Sequence, residues 1–541
     1  MLTVKFKIER CIFKPGLISF LFYSLFSTIT VLLHGQTKKI IAPEAEDADF
    51  LFKYQNYRDA IPIYLQLLEK NPKNYIFNYR LGFCYLNTNI NKPHALPYLR
   101  NCVKSVKLFP DIWQLLGRAY HLNNQFDSAI YCYKKHIDLN IKASNEKDRL
   151  KVDVAIRQAE NAKSIYANPV KVHFYNMGTN INTEFPDYIP WVTSDEKRLY
   201  FTSRRKSLLS REIETDGYFS SDIYVSEDIN GKWEKSKLLI GPGINSALDE
   251  ELVGMRPDGE ELIIYKDHIK DYGDLYFSLK NNNNFRLPEK YGNQINGEIE
   301  YSGSISEDDE LFFFVRKTKS KNSNQDIYFC KKLPNGSWGL PISAGPEINT
   351  ELNEDYPFLS MDGKTFYFSS EGHNSMGGYD LFKCQWNPDS NRFSNVVNLG
   401  YPLNTADDEK NISILPDNRA GYISAWRKDG MGDLDVYRVK FDESEMPYVF
   451  INAKVIYDDS TQCVKSNAKI YVTTKPEKKV LGVYKPHSIH GNFILALVPG
   501  SYEIHIENEG YENYTELLQI SDIGATQHEE SKTFKLQKIT E

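Results

Sequence analysis

Acidic side chains recur in pairs just before segments with strand character, and two carboxylates can serve as acid and base in glycoside cleavage. The pairs are formed by Glu250, Glu251, Glu354, Asp355, Asp408 and Glu409. A catalytic pair belongs to a single site, whereas these pairs return from one part of the chain to the next. Their recurrence favours a structural task, in which carboxylates accept hydrogen bonds from turn amides or bridge neighbouring sheets.

Two glycine-rich segments, Gly377–Asp380 and Gly430–Asp433, could bind calcium through aspartate oxygens. Their spacing matches no EF-hand loop, so turns are the favoured interpretation. The histidines are scattered, and no GxSxG, HExxH or Walker pattern occurs in the sequence. We therefore predict a chain that is not an enzyme and that holds no metal or cofactor.

Cysteine spacing does not indicate a metal site. Beyond Cys11 the cysteines are Cys84, Cys102, Cys132, Cys330, Cys384 and Cys463. Cys330 and Cys384 occupy equivalent places in successive repeats, and such places are usually too far apart for a disulfide. We expect buried free thiols.

One sequence pattern repeats five times, and the acidic pairs lie within it. A hydrophobic residue followed by asparagine starts each copy, at Asn182, Asn245, Asn296, Asn349 and Asn404. An acidic cluster, a turn, an aromatic-rich strand and an Asp-aliphatic-aromatic unit follow. Alternation with period two and turns such as Asp362-Gly363 indicate hairpins. A repeat of this length that is mostly strand predicts a β-propeller blade.

The repeats predict five blades over residues 170–442. A lone strand from Val170 precedes the first copy, and the last copy ends near Phe441 without its outer strand. The two ends together would complete one blade and remove both sheet edges. The blades resemble the WD40-like PD40 repeats of TolB and of OmpA-linked envelope proteins, which implies a binding platform. The irregular loop Arg204–Ser221 is a candidate for recognition.

Residues 44–168 predict helices in pairs. The best copy contains Trp113, Leu116, Gly117, Tyr120, Ala129 and Tyr133. This spacing resembles the tetratricopeptide repeat, with three copies and one closing helix over Asn145–Asn168. Stacked pairs leave a concave groove that binds peptides or partner helices. Candidate groove residues are Tyr79, Arg80, Gln114 and Arg118, and ordinary solvated positions are the alternative for each of them.

Residues 447–537 predict a small antiparallel β-sandwich of alternating strands. Asn467–Ile470, Gly491–Phe493, Val498–Tyr502 and Glu509–Tyr511 resemble the carboxypeptidase regulatory-like, transthyretin-like domain. That resemblance implies no peptidase chemistry. The predicted fold class is therefore multidomain, with helical repeats first, then a five-bladed propeller and a transthyretin-like sandwich.

The N-terminus predicts an export signal. Basic residues from Lys5 to Lys14 precede an apolar run over Leu17–Leu33. We expect residues 1–35 to be a signal peptide cleaved near Gly35, and an uncleaved anchor is the alternative because the run is just long enough to span a bilayer. The net charge of −7 comes without a basic tract, which argues against nucleic-acid binding.

The order of these segments resembles the PorE-like group of envelope proteins associated with type IX secretion, whose members end in an OmpA-like domain that grips peptidoglycan. This sequence stops at Glu541 without an OmpA-like segment, so that anchoring is not carried over. Either a partner supplies the anchor, or the chain is a periplasmic adaptor. The resemblance implies a non-catalytic, outer-membrane-associated scaffold that binds envelope or outer-membrane proteins, in type IX secretion or gliding.

Two other functions stay open. A carbohydrate- or peptidoglycan-binding protein would stack sugars on exposed rim aromatics, for which Trp191, Tyr218, Tyr301 and Trp426 are candidates. A hydrolase at the propeller mouth would need one unique polar cluster at the central channel, which the regular repeats do not predict.

Overall fold

The computed structural model describes most of the chain. The described residues are 45–104, 109–140, 146–266, 273–282, 284–320, 323–441, 449–458, 467–475, 478, 480–487, 490–497, 500–520 and 530–539. The predicted signal peptide, Cys11 and Cys463 lie outside these ranges.

Seven α-helices occur among the described residues, all in the N-terminal part. They are α1 (Ala45–Lys53), α2 (Tyr57–Lys70), α3 (Tyr75–Leu86), α4 (Ala95–Cys102), α5 (Ile112–Leu122), α6 (Phe126–Asn140) and α7 (Glu146–Ala167), with a short 3-10 turn at Lys92–His94 between α3 and α4. Each helix packs on the next. None of the helices that the structure describes is both long and apolar enough to cross a bilayer.

Glycines allow two of these helix pairs to approach closely. A Cβ atom at Gly82 would lie 2.6 Å from the Leu99 side chain, and one at Gly117 would lie 2.5 Å from the ring of Tyr133. Such distances are far below van der Waals contact, so a larger residue would push α3 from α4 or α5 from α6. Gly117 and Tyr133 are two of the residues that carry the predicted helical-repeat spacing.

The central part of the chain forms five sheets. Sheet 1 contains β2 (Asp187–Val192), β3 (Arg198–Ser203), β4 (Asp222–Ile229), β5 (Lys232–Trp233) and β6 (Lys237–Leu238). Sheet 2 contains β7 (Glu250–Met255), β8 (Glu261–Lys266), β9 (Leu275–Asn281), β10 (Asn284–Phe285) and β11 (Glu289–Lys290). Sheet 3 contains β12 (Ile299–Ile305), β13 (Leu311–Lys317), β14 (Gln325–Lys331) and β15 (Ile342–Ser343). Sheet 4 contains β16 (Glu354–Leu359), β17 (Thr365–Ser370), β18 (Asp380–Asn387) and β19 (Arg392–Asn398).

Sheet 5 joins the two ends of the repeat region. It contains β1 (Val172–Asn176), β20 (Ile412–Ile414), β21 (Ala420–Ala425) and β22 (Asp435–Phe441). Strand β1 pairs antiparallel with β22, in a register that sets Val172 opposite Phe441. The outer strand of this sheet therefore comes from the start of the repeat region and the other strands from its end.

The inner strands of the sheets follow one another in space. Strand β2 contacts β7, β7 contacts β12, and β12 contacts β16. A hydrogen bond of 3.0 Å from Ser360 to Asn418 links sheet 4 to sheet 5, and β2 contacts β20 and β21. A Cβ atom at Gly254 would lie 1.8 Å from the carbonyl oxygen of Gly303, so sheets 2 and 3 meet backbone to backbone. This arrangement is a β-propeller.

The C-terminal part holds two further sheets around a shared apolar core. The strands are β23 (Val449–Tyr457), β24 (Lys469–Lys475), β25 (Val480–Tyr484), β26 (Asn492–Leu497), β27 (Gly500–Glu507), β28 (Tyr514–Ile520) and β29 (Glu530–Leu536). One sheet has the order β26-β23-β29 and the other β25-β24-β27-β28. The pairing of β23 with β29 is parallel, so the expectation of a wholly antiparallel sandwich was wrong. The cause is that β29, which that expectation did not include, lies beside β23 in the same direction.

Candidate binding site at the mouth of the propeller

The five repeat asparagines form the same pair of hydrogen bonds to the backbone. In each sheet the side-chain amide accepts a hydrogen bond from the backbone N–H of the residue after the repeat aspartate and donates one to its carbonyl oxygen. The residues held in this way are Val436, Ile223, Leu275, Ile327 and Leu381. The asparagine replaces a neighbouring strand at that point, which explains its recurrence.

One acid at or near the start of each inner strand is also structural. These residues are Asp187, Glu250, Glu300, Glu354 and Glu409. Each carboxylate accepts a hydrogen bond from a backbone N–H of the preceding turn, for example 3.0 Å from Thr350 to Glu354 and 2.8 Å from Thr405 to Glu409. All five side chains are buried. The expectation that recurring acids satisfy turn amides holds for this layer.

The residue directly after each of these acids differs from sheet to sheet. The five residues, which we call the mouth ring, are Tyr188, Glu251, Tyr301, Asp355 and Lys410. Their charges act across sheets that are not neighbours. The charge of Lys410, just before β20 of sheet 5, lowers the pKa of Glu251 in sheet 2, and the charge of Glu251 contributes to the raised pKa of Tyr356 in sheet 4. Such pairs can meet only near the axis of the propeller, so the ring surrounds that axis.

Two carboxylates of the mouth ring are held by neighbouring hydroxyls. Tyr188 donates a hydrogen bond of 2.7 Å to Glu251, and Ser302 donates one of 2.6 Å to Asp355. Burial raises the pKa of Glu251 and of Asp355, while these bonds and the charge of Lys410 act in the opposite direction. The ring thus contains a half-buried and a buried carboxylate, each of which accepts a hydrogen bond from a hydroxyl group.

Lys410 is the one cationic residue of the mouth ring. Its ammonium group is solvent-accessible and lies 5.1 Å from the centre of the Tyr379 ring. Burial tends to raise the pKa of the adjacent Asp408, but the charges of Lys410, Lys92 and Arg118 and the N–H of Tyr379 outweigh it and lower that pKa. Side chains from the helices and the propeller therefore share one electrostatic environment at the mouth.

An aromatic pair closes the axis below the ring. The rings of Trp191 in sheet 1 and Phe358 in sheet 4 lie 5.8 Å apart, although these sheets are not neighbours. Each lies three residues after a mouth-ring residue of its own strand, and both are buried. The mouth is therefore a recess with an apolar floor.

Backbone bulges shape this recess. The register of β2 shifts between Tyr188 and Trp191, and that of β16 shifts between Asp355 and Phe358. In these bulges Ile189 has a φ of 52° and Tyr356 a φ of 47°, in the left-handed region that bulky residues avoid. Each such residue costs about 1–3 kcal/mol, and strain of this kind clusters at binding sites.

The helices cover one side of the mouth. Lys92 forms an ion pair of 2.6 Å with Asp407, and His121 Nε2 lies 2.9 Å from the carbonyl oxygen of Met376. Arg58 pairs with Glu184 at 3.3 Å. These contacts are made by loops of sheets 1, 4 and 5. The loops lie on the face of the propeller where the inner strands begin, and we call this the loop face.

The loop Arg204–Ser221 also lies on the loop face, and it is rigidly braced. Arg204 pairs with Asp216 at 2.7 Å and with Glu214 at 3.2 Å. Despite this bracing the loop exposes apolar side chains, with Leu208 78% and Ile213 58% exposed. Leu209, next to Leu208, is also 42% exposed, and adjoining exposed apolar side chains are a feature of protein-binding surfaces.

The predicted groove residues do not form one site. Tyr79 donates a hydrogen bond of 2.9 Å to Asp111, and Arg80 pairs with Asp49, so both hold helices of the same region together. Gln114 is half-buried on α5. Arg118 on the same helix acts on Asp408 and so belongs to the mouth.

The predicted rim aromatics need one correction. Trp191 is 2% exposed and lies on the axis, so the expectation that it stands exposed on the rim was wrong. The bulge that precedes Trp191 changes the face on which its side chain lies, which strict alternation does not anticipate. Tyr218, Tyr301 and Trp426 are half-buried, and the Tyr218 hydroxyl donates a hydrogen bond of 2.6 Å to Asp433. Tyr301 belongs to the mouth ring.

The mouth ring itself was missed from the sequence. Glu251 and Asp355 were grouped with the structural acids, and Lys410 was not singled out. The available signal was the contrast between two adjacent positions when the five copies are aligned on their asparagines and one gap is allowed in the third copy, where Glu300 follows Asn296 by four residues and not five. The first position is always acidic, and the second varies.

Metal and thiol chemistry receive no support from the described part of the chain. Within it, no group of His, Cys, Asp and Glu side chains could hold a metal ion. In the glycine-rich segments Asp380 accepts a hydrogen bond of 2.8 Å from the N–H of Met376, as a turn requires. The cysteines that the structure describes are free and buried.

Of the comparisons with known proteins, only the one with solved structures found proteins similar to this chain. No protein-family model and no curated protein matches the sequence. A TolB structure from Acinetobacter baumannii is 16% identical, covers 54% of this chain and 68% of its own, and has a TM-score of 0.32. A putative TolB from Agrobacterium tumefaciens is 15% identical, with coverage of 51% and 99% and a TM-score of 0.28.

A third similar structure is a periplasmic gluconolactonase from Pseudomonas aeruginosa. It is 11% identical, covers 58% of this chain and 89% of its own, and has a TM-score of 0.26. The prediction that this chain is not an enzyme is corrected here, because structures of this kind include an enzyme and the architecture does not exclude catalysis. At these identities and TM-scores, the similarities do not assign a function.

Proposed function

We propose that this protein is a periplasmic binding scaffold that holds envelope proteins through the loop face of its propeller and the adjoining helices. The single observation that carries the proposal is the loop Arg204–Ser221, which is braced internally and yet exposes Leu208 and Ile213. An apolar surface on a fixed loop loses little entropy when a partner covers it.

The finer architecture belongs to the same proposal. We interpret α1 to α7 as tetratricopeptide-type pairs, the five central sheets as a closed five-bladed propeller, and the C-terminal sheets as a transthyretin-like, carboxypeptidase regulatory-like domain. The close helix contacts at Gly82 and Gly117 and the pairing of β1 with β22 support this interpretation. The domain limits are then 44–168, 170–442 and 447–537.

The address and partners are inferred from the sequence. The basic and apolar N-terminal segment supports export, with residues 1–35 as a signal peptide. The resemblance to the PorE-like group supports partners at the outer membrane in type IX secretion or gliding.

Photo-crosslinking in intact cells tests the scaffold proposal. A photoreactive amino acid placed at position 208 or 213 is expected to capture envelope proteins. The matched control is position 240, because Ile240 is 78% exposed, like Leu208, and follows β6 of the same sheet. Equal capture at all three positions would contradict the proposal.

A second measurement separates protein partners from glycan. The double variant Leu208→Asp with Ile213→Asp is expected to lose partner co-purification at least about tenfold, since each buried apolar side chain contributes about 1.5–3 kcal/mol. The variant Ile240→Asp is expected to retain it. Retention of the chain on purified, protein-free sacculi, unaffected by these changes, would favour the carbohydrate-binding alternative instead.

A further inference from the structure

Helices α4, α5 and α6 border a cavity of about 480 Å³ in the helical part of the chain. The apolar and aromatic side chains that line it are Val103, Trp113, Leu116, Tyr120, Tyr131 and Cys132. Binding sites for small molecules have volumes of about 300–1,000 Å³ and are lined mainly by apolar and aromatic side chains. The size and the lining of this cavity are therefore those of a small-molecule site.

Three aromatic rings at this cavity are incompletely buried. Tyr131 is 60% exposed, and Trp113 and Tyr120 are half-buried. Aromatic rings that lie open on one side can stack with a second flat ring. The lining therefore favours a ligand with an aromatic body.

Cations border the same cavity. Arg100 and Lys104 line it directly, and the ammonium group of Lys135 lies 3.8 Å from the centre of the Trp113 ring. Lys104 donates a weak hydrogen bond of 3.4 Å to Asn101, and neither Lys104 nor Arg100 forms an ion pair with a residue that the structure describes. Guanidinium and ammonium groups are the usual partners of carboxylates in proteins, and two of them are available here.

The acid among the lining residues does not balance these cations, because it has its own partner. Asp127 forms an ion pair of 2.6 Å with Lys163 on α7. The cavity thus has an excess of positive charge, although the whole chain has a net charge of −7. An anionic ligand gains more electrostatic free energy here than a neutral or cationic one.

The cavity is separate from the predicted peptide groove. Gln114 and Arg118, the candidate groove residues of α5, do not belong to its lining. At 3.6 residues per turn, positions 113, 116 and 120 share one face of the helix, and positions 114 and 118 lie on another. A ligand in the cavity therefore uses a different side of α5 from a peptide in the groove.

We propose that this cavity binds a small aromatic carboxylate, with its ring against Trp113 and Tyr131 and its carboxylate beside Arg100 and Lys104. The site shares no residue with the loop Arg204–Ser221. Its failure would leave the scaffold proposal standing, and loss of partner capture by the loop variants would leave this site standing.

Calorimetric titration of the purified full chain with naphthalene-2-carboxylate tests the proposal. Saturable binding is expected for this anion. Naphthalene-2-carboxamide has the same ring system and no charge, so it is expected to bind at least about tenfold more weakly. Equal binding of the amide, or no saturable binding of the carboxylate to the folded chain, would overturn the proposal.

Two charge variants test the carboxylate end of the site. Arg100→Met and Lys104→Met are expected to weaken naphthalene-2-carboxylate binding about threefold each, a modest effect because solvent screens exposed charges. Both side chains are exposed, so both variants are expected to fold. The matched control is Lys70→Met, which removes the same charge from an exposed position on α2 and is expected to bind normally. Equal weakening in all three variants would overturn the proposal.

A third variant tests the aromatic wall. Tyr131→Ala removes a ring on which the ligand stacks, so naphthalene-2-carboxylate is expected to bind about fivefold more weakly. The matched control is Leu139→Ala, because Leu139 is 62% exposed on the same helix and does not line the cavity. Unchanged binding in Tyr131→Ala, or an equal loss in Leu139→Ala, would overturn the proposal.

A last probe distinguishes a free small molecule from the end of a protein chain. Nα-acetyl-glycyl-phenylalanine carries an aromatic ring and a carboxylate, as the last residue of a partner protein would. Weaker binding of this dipeptide than of naphthalene-2-carboxylate is expected. Tighter binding of the dipeptide would overturn the assignment of the cavity to a small molecule.

Discussion

Two adjacent positions of the inner strands behave in opposite ways. The first position is acidic in all five sheets, buried, and bonded to turn amides. The second position forms the mouth ring, and it holds two tyrosines, two acids and a lysine. The first position repeats because every sheet needs the same turn. The second is free to vary because its side chains lie on the axis, where the five sheets together make one environment.

This contrast separates the acids that recur from those that do not. A carboxylate that recurs with the same backbone partner stabilises the fold, whereas the two carboxylates of the mouth ring accept hydrogen bonds from hydroxyl groups and have no counterpart in the other three sheets. Substitutions at the two positions should therefore divide into a class with a large effect on stability and a class with a small one.

The largest effect is expected at the first position. Glu354 is 0% exposed and accepts hydrogen bonds of 3.0 and 2.7 Å from Thr350 and of 2.7 Å from Ser370. Glu354→Ala leaves these donors buried without partners, so at pH 6 we expect a loss of about 3 kcal/mol in the free energy of unfolding, measured in urea. A loss of unfolding free energy below about 1 kcal/mol would contradict the distinction between the first-position acids and the mouth ring.

A smaller effect, dependent on pH, is expected at a repeat aspartate. Burial raises the pKa of Asp380 from 3.8 to about 7. Because the folded-state pKa lies above the unfolded value, the stabilisation is present below about pH 4 and is lost as the pH rises through 7. Asp380→Asn should flatten the decline in unfolding free energy between about pH 4 and pH 7.

The control for this titration is the nearby Asp389→Asn. Asp389 is exposed on the same sheet, so its removal should leave the pH profile unchanged. Identical profiles for the two variants and the original chain would show that Asp380 is not charged differently in the folded state.

The smallest effect on stability is expected in the mouth ring. Tyr188→Phe removes one hydrogen bond to Glu251 and keeps the ring in place. We expect a loss of about 1 kcal/mol in unfolding free energy, the usual worth of one such bond. A loss above about 2 kcal/mol, measured by urea denaturation, would class this position with the structural acids.

The sequence predicted the propeller because asparagine, turn and strand recur together, and these are local signals. The pairing of β1 with β22 followed from counting strands at the two ends. The sequence did not predict the bulges, because isoleucine and tyrosine do not mark a left-handed backbone conformation such as that of Ile189 and Tyr356. The buried position of Trp191 depends on one of these bulges, so it was not predicted either. The mouth ring depends on contacts among sheets far apart in sequence, which periodicity does not report.

One strand contains both layers in consecutive residues, and it provides the most direct test. Glu250 accepts hydrogen bonds of 2.7 and 2.6 Å from Ser246, whereas Glu251 is bonded to Tyr188. Urea denaturation of Glu250→Ala and Glu251→Ala compares them in one background. We predict that Glu250→Ala loses about 2 kcal/mol more unfolding free energy than Glu251→Ala. Equal losses, or a greater loss for Glu251→Ala, would contradict the division between the buried structural acids and the mouth ring.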